Sequence, residues 1–248
     1  MSVGMPERRY FALEESGINI ENEYSLHASL KIFFSEPDDR FEAKVGRYIV
    51  DILRGDQILE IQTSNFASIR RKLWALAKKH LITLIHPIAI EKWLVYIADG
   101  GDLSERRKSS KRGKPEDIFE EIMYMPKIIN HHNFSLLLAM TKEEEIRKRD
   151  GKGAWRRKRI SIKDRVLLEV VDTIEFQHCT DFLRFLPPEL EEPFTNRDLA
   201  IVSGMRMRDV HKMTWCLRKM GAIRVIWKKG NAFMMERVHD NMDWESWE

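Results

Sequence analysis

The chain has 248 residues, with 42 Lys and Arg against 39 Asp and Glu, so its formal net charge at pH 7 is +3. Hydrophobic residues make up 43% of it and glycine and proline only 12 and 8 positions, which excludes wholesale disorder and collagen-like or low-complexity material. Two cysteines exclude a disulfide framework, and the lack of a signal-peptide pattern or an apolar run of ~18 residues predicts a soluble, cytoplasmic protein.

The first part of the chain alternates helical and strand-like patterns. Their order, α-β-β-β-α-β, predicts an α+β (α/β) domain in which a mixed sheet is flanked by helices. Apolar residues at helical spacing indicate helices, and β-branched runs bounded by Gly and Pro indicate strands. The predicted elements are a helix over 21–34, strands over 41–45, 47–54 and 57–63, a helix over 66–80, a strand over 81–86 that ends at Pro87, and a helix near 90–97.

The first predicted helix carries a carboxylate on its apolar face. Glu23 lies in line with Leu26, His27 and Leu30, at spacings of three, four and seven residues. A carboxylate at the start of a helix is also favoured by the helix dipole, and this alternative remains open.

The hairpin around Gly55-Asp56 brings two acids together. A two-residue loop at this position pairs Arg54 with Gln57, which places Asp51 opposite Glu60, with Gln62 on the same face. Like charges opposite one another in an apolar setting repel. Protonation, a neighbouring arginine (at 47, 54 or 70) or a divalent cation would relieve the repulsion, and Mg²⁺ or Mn²⁺ suits such hard oxygen ligands.

These residues resemble the PD-(D/E)xK nuclease superfamily, which has the restriction-endonuclease-like fold. The resemblance covers about 21–97 and rests on Glu23, on Asp51 in YIVDI and on Glu60 in LEIQT. It implies Mg²⁺-dependent phosphodiester hydrolysis in DNA, with Asp51 and Glu60 as metal ligands and Glu23 assisting. Members of the superfamily often form homodimers.

One position departs from the pattern of that superfamily. The residue two after the second acid is normally a lysine, and here it is Gln62. Glutamine can orient a nucleophilic water by hydrogen bonds but carries no charge. In some members the lysine has moved to a neighbouring helix, and here Arg70 and Lys72 flank the apolar stripe of the next helix. A solvated role is the alternative for both.

The middle of the chain, 101–161, is predicted to be a basic linker with a helix over 118–129. The stretch 105–114 holds six basic residues against one acid, and 147–165 holds ten against two. Trp155 stands inside the second run, before Arg156, Arg157, Lys158 and Arg159. Cations beside an aromatic ring fit phosphate contact and base stacking, with DNA as the expected partner and RNA as an alternative. A solvated linker is the other interpretation.

The last part, 162–238, resembles a winged helix. Helices are predicted over 162–176, 179–186, 195–204 and 206–219, followed by strands over 222–227 and 232–237. The resemblance implies that the helix over 206–219 enters a major groove and that the hairpin contacts the backbone. Use of this domain for protein contact or dimerisation is the alternative. The predicted DNA-contacting residues here are Arg206, Arg208, Lys212, Lys228 and Lys229.

The sequence thus predicts a nuclease-like α/β domain over 20–100, a connector over 101–161, a winged helix over 162–238 and an acidic tail over 239–248. The leading function is Mg²⁺-dependent DNA cleavage, in which Asp51, Glu60 and Gln62 act at the scissile phosphate. The alternative is a catalytically silent DNA-binding regulator or assembly factor on the same fold.

Overall fold

A computed structural model of the protein describes residues 25–97, 103–155 and 158–238. The α+β class is confirmed, because helices accompany a seven-stranded sheet and a separate two-stranded sheet. The helices are α1 Ser25–Phe34, α2 Phe66–Ala77, α3 Phe119–Ile122, α4 Asn196–Ser203 and α5 Met207–Met220, with 3₁₀ helices at Pro115–Ile118, Pro126–Asn130 and Cys179–Phe185. The strands are β1 Arg40–Val45, β2 Tyr48–Arg54, β3 Gln57–Ile61, β4 Leu81–Ile97, β5 Leu103–Lys108, β6 Phe134–Lys148, β7 Ser161–Phe176, β8 Ile223–Lys229 and β9 Ala232–Arg237.

The chain forms two compact units, and neither is one continuous stretch. The first takes in the described residues up to Thr63 and those of Ile85–Pro115 and Leu137–Ile174. The second takes in Ser64–Leu84, Glu116–Leu136 and the described residues from Glu175 onward. Within 25–97, 103–155 and 158–238, every helix falls short of the length and apolar character that a membrane crossing needs.

In the first unit the predicted hairpin forms with the expected register. Arg54 pairs with Gln57, Leu53 with Ile58 and Ile52 with Leu59, all antiparallel. Gly55 has a φ of 56°, the left-handed value that a type II′ turn requires at this position. Strand β1 pairs with the other edge of β2, and α1 lays Leu26 and Leu30 on the core formed by Ile52, Leu59, Ile61, Ile85, Ala139, Leu167 and Val170.

Five predictions of local structure are wrong, and in four of them a strand forms or continues instead. Strand β4 continues through Pro87 to Ile97, so neither the strand end at Pro87 nor the helix near 90–97 exists. The expected helix over 162–176 is strand β7. Part of the expected linker is strand β5, which pairs with β4. The helix expected over 118–129 is broken into short α and 3₁₀ turns.

In the second unit the predicted helix pair and hairpin form as expected. Thr195 caps α4 in a capping box with Asp198, and Gly204 ends α4 in the left-handed conformation. Gly221 ends α5 in the same way, before strands β8 and β9 pair as a two-stranded sheet. The segment expected to form a helix over 179–186 is a 3₁₀ helix.

Candidate functional site

Asp51 lies where the β2–β3 ladder ends. The paired positions run from Arg54 to Ile52, and the next residue, Asp51, accepts the backbone N–H of Ile61 at 2.8 Å through Oδ2. The side-chain carboxylate of Asp51 is therefore hydrogen-bonded to a backbone amide of the neighbouring strand β3. Only 15% of this side chain is exposed, so its charge depends on protein partners more than on water.

His27 on α1 completes this end of the ladder. Its Nε2 lies 2.9 Å from the carbonyl oxygen of Ile61 and 3.3 Å from Asp51 Oδ2. A carbonyl oxygen can only accept, so Nε2 carries a proton and donates. A protonated Nε2 cannot bind a metal ion, and His27 therefore positions Asp51 and Ile61.

The carboxyl group of Asp51 is ionised. Burial raises its pKa, but the hydrogen bond and charge of His27, the Ile61 amide and the charge of Lys31 together hold the pKa below its ordinary value. Lys31 lies one turn after His27 on α1, is 2% exposed, and donates to Glu42 Oε1 at 2.6 Å. A buried ammonium thus lies within electrostatic reach of Asp51.

The other three residues predicted for this site lie in different surroundings. Glu60 is 4% exposed on β3. Gln62 follows β3, where its N–H donates to Ile85 and its carbonyl accepts from His86 Nδ1 at 2.6 Å, so the backbone is fixed on both sides. Glu23 lies outside the described residues.

The described residues contain no group of three or more His, Cys, Asp or Glu side chains that could hold a metal ion. Mg²⁺ commonly takes only one or two protein carboxylates and completes its shell with water and phosphate oxygens. Asp51, whose pKa is lowered, and Glu60 on the paired strand β3 are two carboxylates, which is the number that this smaller requirement asks for, while Nε2 of His27 is engaged as a donor.

The sequence analysis did not predict Lys31 or His27 as residues of this site. A signal existed, because Glu23, His27 and Lys31 follow one another at intervals of four residues and so share one helix face. Arg70 and Lys72, which the sequence offered as replacement cations, lie on α2 in the second unit.

The α5 surface is formed by Arg208, His211, Trp215 and Lys219, which are exposed at spacings of three and four residues. Lys219 Nζ lies 5.9 Å from the Trp215 ring centre, and Arg206 at the start of the helix is exposed. Lys212 is less available, because its ammonium forms an ion pair with Glu120.

Strand β8 of the β8–β9 hairpin is exposed to solvent. All of β8 after its first residue is exposed, including Lys228 and Lys229. Lys228 Nζ lies 5.1 Å from the Phe233 ring centre, which holds the side chain along the hairpin. Val225, Ile226 and Trp227 on the same strand are also exposed.

The second basic run lies partly in strands. Its early residues end β6 and its late residues begin β7. Between them Lys158 and Arg159 are exposed, with positive φ values of 51° and 58°. The predicted contact residues Arg156 and Arg157 lie outside the described residues.

A family model described as a domain of unknown function (DUF8091) matches residues 24–177, which is more than half of the chain. The chain belongs to the DUF8091 family. The matched segment runs from the start of α1 to the end of β7, so it contains Asp51, Glu60, His27 and Lys31. The α4–α5–β8–β9 segment lies outside the match.

An uncharacterized protein from Treponema pallidum (strain Nichols) is similar to this DUF8091 member. The two are 32% identical over 184 residues, which cover 74% of this chain and 73% of the relative. No solved structure matches the chain.

Proposed function

We propose that the protein binds duplex DNA through its α4–α5–β8–β9 segment, with α5 in the major groove and the hairpin on the phosphate backbone. The observation that carries this proposal is the α5 surface, where two cations and a histidine line one exposed helix face beside Trp215. A helix with such a face can offer hydrogen-bond donors to base edges and phosphates.

The hairpin supports the same function. Lys228 and Lys229 extend from the end of β8 that meets the turn at Gly230, where they can reach a backbone next to the groove. Phosphate contacts of this kind release counterions, so they make affinity fall with rising salt concentration.

The test is salt-dependent binding of a labelled duplex by the full chain. The variant Lys228→Ala/Lys229→Ala should lower the slope of log K against log salt by up to about 1.8, at ~0.9 for each phosphate contact. The matched control is Lys78→Ala/Lys79→Ala, which removes two adjacent exposed lysines from the same unit. Equal slopes for wild type and both variants would refute the proposal.

A second candidate function is Mg²⁺-dependent hydrolysis of the bound nucleic acid by the first unit. The observation in its favour is the ionised Asp51 at the end of the ladder, with Glu60 in the paired strand. Asp51 and Glu60 would hold the ion, which would neutralise charge at phosphorus and activate a water. Lys31 would supply the positive charge that Gln62 lacks.

Cleavage is tested by plasmid nicking with Mg²⁺ or Mn²⁺. Asp51→Asn and Glu60→Gln should each abolish nicking while duplex binding is retained. Lys31→Gln should lower the rate more than Lys44→Gln, a control lysine on β1. Binding without cleavage under either ion would leave a DNA-binding regulator as the function, and preference for structured RNA in competition would change the substrate class.

A further inference from the structure

The two basic runs of the sequence meet at a single tyrosine. Tyr96 lies near the end of β4 opposite Glu105 of β5, and Arg107 on β5 and Arg147 on β6 lower the pKa of its phenol. The guanidinium of Arg149, just beyond β6, lies 4.9 Å from the centre of the Tyr96 ring. Three arginines from two parts of the chain therefore lie around one aromatic side chain, and we call these four residues the Tyr96 cluster.

The Tyr96 cluster has more positive than negative charge. Glu105 lies 3.9 Å from Arg107 and 3.8 Å from Arg149. The buried Glu145 is shared by Arg147, Lys92 and Arg165. The three arginines of the cluster thus face two carboxylates, and one of these, Glu145, is also shared with Lys92 and Arg165.

The positive charges of these arginines act on the pKa of the Tyr96 phenol. Burial raises the pKa of Tyr96, but its hydrogen bonds to Arg107 and Arg147 and their charges bring the pKa below its ordinary value. The same field attracts an incoming anion. Arg107 and Arg149 are exposed, at 53% and 70%, so their guanidinium groups are open to a ligand from solvent.

An exposed aromatic side chain lies in the same part of the chain. Trp155, in the connection between β6 and β7, is 83% exposed, and Lys158 donates its N–H to the Trp155 carbonyl oxygen. Arg149 is the first residue of this connection, so the stacking surface and the Tyr96 cluster are neighbours along the chain. Guanidinium groups that can grip phosphates, together with an open indole, match the needs of an unpaired nucleic-acid strand.

We propose that the Tyr96 cluster and Trp155 form a binding site for single-stranded nucleic acid, with Arg107 and Arg149 on backbone phosphates and a base stacked on Trp155. A small phosphate ligand would leave Trp155 unused, and planar guanidinium groups, which bind phosphate through two donors and stack on aromatic rings, suit nucleic acid. The site extends the proposed function to the first unit, and it does not depend on the α5 surface.

Fluorescence anisotropy of a labelled oligothymidylate with the full chain tests the proposal. Arg149→Ala should weaken binding and lower the salt slope by about 0.7, the value for one phosphate contact on a single strand. Trp155→Ala should raise the Kd roughly 5- to 150-fold, and Trp155→Phe should restore much of the affinity because a ring remains.

The matched control is Arg47→Ala. Arg47 also stacks on a tyrosine in the first unit, at 5.0 Å from the ring centre of Tyr48, but it lies outside the Tyr96 cluster. Oligothymidylate binding that is equal in wild type, Arg149→Ala and Trp155→Ala would overturn the proposal, as would a loss of equal size in Arg47→Ala.

Two further measurements distinguish this site from the duplex-binding surface and from a lipid-binding surface. Lys228→Ala/Lys229→Ala should leave oligothymidylate binding intact, so a failure of the duplex proposal would not be mistaken for a failure of this one. Vesicles containing phosphatidylserine should bind wild type and Arg149→Ala alike. If Arg149→Ala impaired vesicle binding while oligothymidylate binding was unchanged, the ligand would be a lipid surface and the proposal would be wrong.

Discussion

Asp51→Asn tests whether the ionised carboxylate stabilises the end of the β2–β3 ladder. Asparagine keeps an oxygen for the Ile61 amide at 2.8 Å and for His27 Nε2 at 3.3 Å, but it removes the charge from both hydrogen bonds. A hydrogen bond to a charged group contributes ~1.5–3 kcal/mol against ~0.5–1.5 for a neutral one, so the two bonds weaken by about 2 kcal/mol together. An amide is easier to bury, so we expect a net loss of about 1–2 kcal/mol in the free energy of unfolding.

The pH dependence of this loss gives a sharper test. The pKa of Asp51 in the folded protein lies below its unfolded value of ~3.9. Its stabilisation is therefore complete above pH ~4 and is lost as the pH falls through the folded-state pKa. The difference between wild type and Asp51→Asn should be largest at pH 7 and smaller at pH 3.

Urea unfolding followed by the fluorescence of the seven tryptophans measures both values. Asp56→Asn serves as the control, because Asp56 is exposed in the hairpin turn and its change should stay within about 0.5 kcal/mol. A difference for Asp51→Asn that was the same at pH 3 and pH 7, or a variant more stable than wild type at pH 7, would refute the reasoning.

Three further predictions concern stability and reactivity. Thr195→Ala removes the cap of α4 and should lower the free energy of unfolding by about 1 kcal/mol, and an unchanged urea midpoint would contradict this. Arg54 donates two hydrogen bonds to the buried carboxylate of Asp39, and Arg54→Lys breaks this two-bond fork. The Arg54 hydrogen bond holds the pKa of Asp39 low, so the free energy of unfolding of wild type should exceed that of the variant by about 1–2 kcal/mol at pH 7 and by less at pH 3. Burial raises the pKa of Cys179 to about 11 and of Cys216 to about 12, so neither should react with a disulfide reagent at pH 8 until urea is added.

The local features of the fold could be predicted from the sequence. The Gly55-Asp56 turn fixes the register of β2 and β3 without help from distant residues, and Thr195 and Gly204 mark both ends of α4. These signals are short-range, because a turn residue or a cap acts on its own neighbours in the chain.

The long strands could not be predicted in the same way. In 162–176 the apolar residues fit a helical stripe, but the run is rich in Val and Ile and becomes β7. Its partner strand is set by the sheet, and that non-local pairing decides between helix and strand.

The prediction that the strand ends at Pro87 was wrong for a related reason. Pro87 lies between the part of β4 near Ile85, which accepts from Gln62, and the part from Trp93 onward, which pairs with β5. With respect to β3 and β5, Pro87 falls between these two pairings, so its missing N–H breaks neither of them and the strand continues past it. The sequence alone does not show this, because the pairings of β4 depend on where its neighbouring strands lie.

The candidate site was predictable in its acids but not in its cations. The turn at Gly55-Asp56 places Asp51 and Glu60 on adjacent strands of one hairpin. His27 and Lys31 act from α1, and their proximity to Asp51 depends on how that helix packs on the sheet through Leu26 and Leu30.

The β8–β9 hairpin has a consequence for how the protein behaves at high concentration. Among the described residues β8 pairs with β9 alone, so its outer edge presents open backbone groups beside Val225, Ile226 and Trp227. Such an edge invites the same edge of another molecule, and the charges of Lys228 and Lys229 oppose that approach. Concentrated salt, which screens those charges, should therefore favour self-association, and purification at low ionic strength should keep the molecules apart.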